Sequence, residues 1–132
     1  MQTKSIRQTV TFKASPHAVF EELIDSKKHA KFTGGKVKIS RKVGGKFSIF
    51  DGGLYGCNLE IVRDKKISQA WACKMQGWPA NHFSTAIFSF IKVKNGTKLT
   101  LVQTGVPAEC FNDISKGWQI YYWAQMKETL KN

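Results

Sequence analysis

Between Lys36 and Leu101 the apolar residues of this chain recur at every second position. The recurrence is interrupted at Gly44-Gly45, Asp51-Gly52-Gly53, Asp64-Lys65-Lys66, Gly77-Trp78-Pro79 and Asn95-Gly96, and after Pro107 it becomes helical. That change of period leaves few folds open. Strands joined by short turns must be antiparallel neighbours, so the middle of the chain makes a meandering sheet. The apolar face of such a sheet needs a cover. The last helix is the only element long enough to provide it.

The remaining elements follow from the same patterning. Ile6, Val10 and Phe12 alternate with Arg7, Thr9, Thr11 and Lys13, which predicts a half-buried strand over residues 5–13. Ser15-Pro16 predicts a helix start, with Ser15 as cap and Pro16 in the first helical position. Val19, Phe20, Leu23 and Ile24 follow at helical spacing, and a second short helix over about 27–33 stops at Gly34-Gly35. The strands then read Val37/Ile39, Phe47/Ile49, Tyr55/Cys57/Leu59/Ile61, Ile67/Trp71/Cys73/Met75, Phe83/Ile87/Ile91/Val93 and Leu99/Leu101. In the last helix, Ile114, Trp118, Tyr121, Tyr122 and Gln125 form one stripe. Trp123, Met126 and Leu130 form an adjoining sector. No repeat, linker or low-complexity segment breaks the order. Residues 1–132 are expected to form one α+β domain, a curved antiparallel sheet wrapped around a long C-terminal helix, with two short helices after the first strand.

Composition excludes several functions. A chain of 132 residues with 42% hydrophobic residues, nine Phe and four Trp can bury a core without a metal or disulfide staple. Cys57, Cys73 and Cys110 are widely spaced with no C-x-x-C, which argues against a disulfide framework or a zinc site. His17, His29 and His82 have no partner at metal-ligand spacing. Gly44-Gly45-Lys46 is followed by Phe47 and lacks the upstream Gly of a phosphate loop. His82 and Ser84 are close in sequence, but Ser84 has no nucleophile elbow. No carboxylate pair is spaced for a proton relay. No metal, cofactor or enzymatic activity is expected. The N-terminus lacks the apolar run of a signal peptide, and no apolar stretch approaches the roughly 18 residues of a membrane span. A cytoplasmic protein is the expectation.

The formal net charge is +12. Much of it is concentrated in Lys27, Lys28, Lys31, Lys36, Lys38, Arg41, Lys42 and Lys46, with no acid among them. Lys36 and Lys38 lie opposite Val37 and Ile39, so one strand face should be basic. Such an edge either guards a strand against aggregation or steers an acidic protein partner. Nucleic acid is disfavoured, because Arg7, Arg41 and Arg63 are the only arginines and the aromatics alternate inward. Trp78, between Gly77 and Pro79, is expected in a loop, as a lid over a cavity or as an exposed anchor for a partner.

Several short pieces occur in a recognisable order: Gly44-Gly45-Lys46-Phe47, Phe50-Asp51-Gly52, Gly56, Ile67 to Trp71, Trp78-Pro79 with His82-Phe83-Ser84, Thr104-Gly105-Val106-Pro107, and Gly117-Trp118-Gln119 with Tyr121-Tyr122-Trp123. In that order the chain resembles the C-terminal domain family of heat-shock-protein-90 ATPase activators, within the helix-grip (START-like, SRPBCC) superfamily. The resemblance implies a helix-grip fold and a co-chaperone-like binding module that contacts heat-shock protein 90 and promotes its ATPase cycle. Family activators carry a further N-terminal domain, for which this length leaves no room. The contact residues expected are Lys36, Lys38, Arg41 and Lys42, with Trp78 and His82. The superfamily also implies a rival function, a carrier or sensor of a hydrophobic small molecule between the C-terminal helix and the sheet, near Trp71, Phe83, Trp118 and Tyr122.

Overall fold

A computed structural model describes residues 1–131. The chain runs β1 (Thr3–Phe12), α1 (Pro16–Ile24), α2 (Ser26–Thr33), β2 (Val37–Ile39), β3 (Lys46–Ile49), β4 (Leu54–Val62), β5 (Lys66–Cys73), β6 (Ser84–Val93) and β7 (Gly96–Pro107). A continuous helical run over 108–129 follows. It comprises a 3₁₀ turn (Ala108–Cys110), α3 (Phe111–Gly117), a π-helical segment (Trp118–Trp123) and α4 (Ala124–Thr129). The seven strands form one sheet in the order β1-β7-β6-β5-β4-β3-β2, antiparallel throughout. The C-terminal helix lies in its concave face. This is the helix-grip arrangement expected from the sequence.

Local chemistry sets the helix ends. The Ser15 hydroxyl accepts the Ala18 amide (3.1 Å), and Pro16 occupies the first turn, where its missing N–H costs nothing. Asp25 both ends α1 and caps α2, accepting the Lys28 amide at 3.0 Å. Gly34 terminates α2 in the left-handed region (φ 76°).

Two strand faces differ from the sequence expectation. In β4 the pairing register shifts between Asn58 and Glu60. Gly56 and Asn58 face inward opposite buried Trp71 and Gln69, which leaves Tyr55, Cys57 and Leu59 (47% exposed) on the outer face, and the bulge returns Ile61 to the inner face opposite Ile67. The buried Asn58 has work to do: its amide nitrogen donates to the carbonyls of Ser40 (2.7 Å) and Lys42 (3.1 Å), fastening the β2–β3 loop, and its oxygen accepts from Gln69. In β6 both faces are apolar, so alternation alone does not choose between them. The core takes Ala86, Phe88 and Phe90, not Ile87 and Ile91, because these pair with buried Gln103, Leu101 and Leu99 of β7. Phe88→Ala is therefore expected to cost about 3–5 kcal/mol in urea denaturation. Ile91→Ala, at 58% exposed, should cost less than about 1 kcal/mol. Equal losses would mean that β6 is read on the wrong face.

A chain of buried hydrogen bonds sets the helix against the sheet. Trp118 Nε1 donates to Gln103 Oε1 (2.8 Å), Gln103 Nε2 to Ser84 Oγ (3.0 Å), and Ser84 Oγ to the Trp71 carbonyl (2.8 Å). At the β1 edge, Trp123 Nε1 donates to Gln8 Oε1 (2.7 Å), and Gln8 Nε2 donates to the Ser115 carbonyl (3.0 Å). Every donor in these chains finds an acceptor, which a buried polar group requires.

Candidate functional site

Two features invite a binding role, a basic edge and an apolar cleft beside it. The edge is built on β2, the last strand of the sheet, which pairs with β3 alone. Val37 and Ile39 face inward opposite Ile49 and Phe47. Lys38 lies opposite Ser48 on the outer face. Lys36, Lys38 and Lys42 are exposed, and among the described residues none of the three forms an ion pair. Lys36, Lys38, Ser48 and Asp51 line a shallow open groove.

Arg41 differs from its neighbours. Its guanidinium holds Glu21 through two bonds (2.6 and 3.1 Å) and approaches Asp25 at 3.9 Å. It therefore ties the β2–β3 loop to α1, and its charge is already matched. Arg41 corrects the expectation of a cation quartet: three lysines are available, and the arginine is spoken for within the fold.

Trp78 is a second correction. It is not an exposed anchor, being only 9% exposed and part of the core. Its ring packs edge-on against Trp71 (5.7 Å between centroids), and its Nε1 donates to the His82 carbonyl at 2.9 Å. His82 in turn places Nε2 2.7 Å from the Gly105 carbonyl. The pair therefore fastens the β5–β6 connection to β7. Ser84 is buried and engaged with Trp71 and Gln103, so His82 and Ser84 form no dyad.

Of the residues expected around a cavity, Trp71, Trp118 and Tyr122 do meet between sheet and helix. Phe83 does not. It is 46% exposed and packs on Tyr55 of the outer face (5.8 Å), because the β6 alternation places its neighbour Ser84 inside. Deep between helix and sheet the packing is close: about 10 Å³ remains among His29, Gln69, Trp71, Phe88, Trp118 and Tyr122. Five aromatic contacts of Trp118 and its neighbours fill the space, including a near-parallel stack of Trp118 on Trp123 (5.6 Å, 15°). The π-helical segment makes that stack. Its wider turn brings residues five apart onto one side, which an α-helix does not.

Room opens instead along residues 113–122 of the helix. A cleft of about 280 Å³ lies between the β3–β4 turn, the end of β5 and the helix. Its walls include Phe50, Leu54, Cys73, Met75, Gly117 and Tyr121, with the inner faces of Trp71 and Trp118 as its floor. Lys74 and Asp113 also line it. Burial pushes the Cys73 thiol up to about 11, with a lesser contribution from Cys110, so Cys73 stays protonated at neutral pH and serves as an apolar wall, not a nucleophile.

Sequence patterning missed Phe50, Gly117 and Tyr121 as a group. Phe50 follows directly on β3, and it and Asp51 both adopt left-handed backbone (φ 56° each). Gly117 sits in mid-helix, where glycine costs about 1 kcal/mol relative to alanine. The signal available was the isolated glycine within a helical pattern.

His29 completes the site's support. Its Nδ1–H donates to the Leu23 carbonyl (3.1 Å), so Nε2 accepts from the Tyr122 hydroxyl (2.8 Å). This bond joins α2 to the floor of the aromatic cluster. Burial lowers the His29 pKa to about 4, outweighing the Leu23 bond, which acts to raise it. Burial likewise raises that of Tyr122.

Among the described residues, no group of three or more His, Cys, Asp and Glu is placed to hold a metal ion. No helix among them is long and apolar enough to cross a membrane.

Comparison with known proteins bears on this geometry. Residues 13–131 match the model of the family described as Activator of Hsp90 ATPase homolog 1-like protein. The mouse protein "Activator of 90 kDa heat shock protein ATPase homolog 1" is 30% identical over 119 residues, covering 90% of this chain and 35% of that protein. A Dictyostelium discoideum protein described as "Activator of 90 kDa heat shock protein ATPase homolog" is 27% identical over 128 residues, 96% of this chain and 33% of its own length. The chain thus spans about a third of these curated relatives. Among solved structures, an HSP90 activator from Plasmodium falciparum superposes with a TM-score of 0.88 at 29% identity, covering 96% of this chain and 95% of that one.

Proposed function

The chain belongs to the Activator of Hsp90 ATPase homolog 1-like family, and from that premise we propose that it is a non-enzymatic, cytoplasmic binding module that contacts heat-shock protein 90 and promotes its ATPase cycle. The observation that carries the reading is the exposed, unpaired lysine edge of Lys36, Lys38 and Lys42 on a chain of net charge +12. Nine acids are present, and several are already engaged: Glu21 with Arg41, Glu60 with Lys66, Asp64 with His17. The net charge of +12 makes the field outside the molecule strongly positive, and it steers an acidic partner.

The test is a stimulated-ATPase and binding assay with the cognate chaperone. Lys36→Glu, Lys38→Glu and Lys42→Glu together are expected to weaken association about 100-fold at low salt and to flatten its salt dependence. Arg41 stays unchanged in this variant, so that α1 keeps its tie to the β2–β3 loop. Association and stimulation identical to the unmutated chain would leave the lysines as a solubility device.

The rival reading, a carrier of a hydrophobic small molecule, has less to support it. The space between helix and sheet is packed, and the remaining cleft is open at one end.

A further inference from the structure

Three departures from ordinary local preference converge on one cleft. Phe50, a bulky residue, is held at positive φ, where such side chains are rare. Gly117 interrupts the helix interior, and a Cβ built on it meets nothing closer than the Tyr121 ring at 3.8 Å. Alanine there would be accommodated and would favour the helix, so packing within the chain does not require the glycine. The π-helical segment begins at the next residue, Trp118. Such departures are expected where a site is kept at the expense of local stability. Here each one shapes the same space. Phe50 forms one wall, Gly117 leaves the opposite wall open, and Tyr121, more than half exposed, stands at the mouth with its ring against Phe50 (6.3 Å).

The size and surroundings say what would enter. At about 280 Å³, and open on one side, the cleft is at the lower limit of the roughly 300–1,000 Å³ of pockets that enclose a drug-sized ligand. It suits one bulky apolar side chain. It is also continuous with the basic edge. The Asp51 amide donates to the Lys36 carbonyl (3.2 Å), and the Phe50 ring lies against Gly35. Asp51 and Asp113 stand near the rim, but Lys36, Lys38 and Lys74 outnumber them.

We propose that this cleft is the apolar anchor site of the interface, receiving a leucine- or phenylalanine-sized side chain from an acidic segment of the partner protein while the lysine edge holds the flanking carboxylates. The proposal rests on the reading of the chain as a binder of an acidic protein. It adds where the short-range affinity comes from: the lysines set encounter rate and salt dependence, and the cleft slows dissociation.

Gly117→Leu is expected to fill the cleft from the helix, where a Cβ meets nothing closer than 3.8 Å. It is expected to fold with an unchanged or higher midpoint by circular dichroism and to lose about tenfold or more in affinity for heat-shock protein 90, with the salt slope preserved. Tyr121→Ala, at an exposed position, should also weaken binding, by several-fold. The lysine-reversal variant should instead lose the slope. Peptides judge the cleft independently of the chaperone. N-acetyl Asp-Glu-Leu-Glu-Asp and its Phe analogue, at millimolar concentration, should shift the Gly53 and Gly117 amide resonances. The Ala analogue should not, and Gly117→Leu should abolish the response. If the unmutated chain fails to bind the chaperone but shows this peptide pattern, the cleft assignment stands and the chaperone reading falls. Equal shifts with the Ala peptide, no shifts at all, or full chaperone affinity in Gly117→Leu overturns the proposal. So does a response to octanoate alone, which would assign the cleft to a small molecule. Concentration-dependent self-association abolished by Gly117→Leu would likewise overturn it, assigning the cleft to a second copy of the chain.

Discussion

Trp118→Ala is expected to lose at least about 4 kcal/mol of stability, a large part of what a chain of this size has. The side chain is buried and touches Trp71, Phe88, Tyr122 and Trp123 with ring centroids 4.7–5.6 Å away. Removing it empties the centre of the helix–sheet contact. It also strips Gln103 Oε1 of its donor in a fully buried position. The two contributions separate. Trp118→Phe keeps most of the volume and removes the N–H, so it should cost about 1–3 kcal/mol from the unpaired Gln103 oxygen. Adding Gln103→Leu removes the stranded polar group. The double variant should then be less destabilised than the sum of its parts, as partners in one buried bond are. Urea denaturation of the four proteins decides the matter, and strict additivity would show that the bond contributes nothing beyond packing.

The second large effect is a dependence of stability on pH. His29 has a folded pKa of about 4 against 6.5 for an exposed histidine, because burial disfavours its charged form. The unfolded chain therefore takes up this proton first as pH falls. The stabilisation is complete above about pH 6.5 and is lost progressively between 6.5 and about 4. The difference in pKa corresponds to about 3 kcal/mol across that window. The groups facing His29 are the Tyr122 hydroxyl from the C-terminal helix, the Leu23 carbonyl from α1 and the Phe32 ring from α2. A protonated His29 would present a second N–H to the Tyr122 hydroxyl and force that group to become an acceptor. His29→Gln has no charge to gain, so its stability profile should stay flatter than that of the unmutated chain over this range. Parallel profiles would exclude His29 as the source. Because Tyr122 also lines the cleft, the same acidification is expected to loosen the cleft floor before the sheet itself melts.

Much of this architecture is legible in the residues themselves. Ser15-Pro16 and Gly34 mark helix ends through cap chemistry that depends on one or two residues. The alternation from Lys36 onward marks strands, because side-chain direction in a strand is a local property with period two. Where both faces of a strand are apolar, that reasoning loses its grip. β6 carries Ile87 and Ile91 on one face and Phe88 and Phe90 on the other, and only the partner strand selects between them. A bulge defeats it too, since one extra residue in β4 puts Ile61 on the face opposite to Tyr55 and Cys57. The site residues divide the same way. The lysine edge could be read from Lys36 and Lys38 alone, but Arg41 could not be separated from it, because Glu21 lies 20 residues earlier and reaches it only when α1 packs beside the β2–β3 loop. Trp78 looked like a loop residue and is one. Its burial comes from Trp71 and His82, which the chain brings to it from either side.

By itself, the sequence determined the order of elements, their antiparallel pairing, the need for the last helix to fill the sheet, and the family to which the chain belongs. All of these follow from periodicity, cap residues and short motifs, which act over a few residues at a time. Only the tertiary structure decided which strand faces are buried, that Arg41 is occupied, that the helix–sheet interior is packed, and that Phe50, Gly117 and Tyr121 surround one open cleft. Those facts depend on contacts between residues far apart in the chain. Such contacts are governed by register and close packing, which no local pattern records.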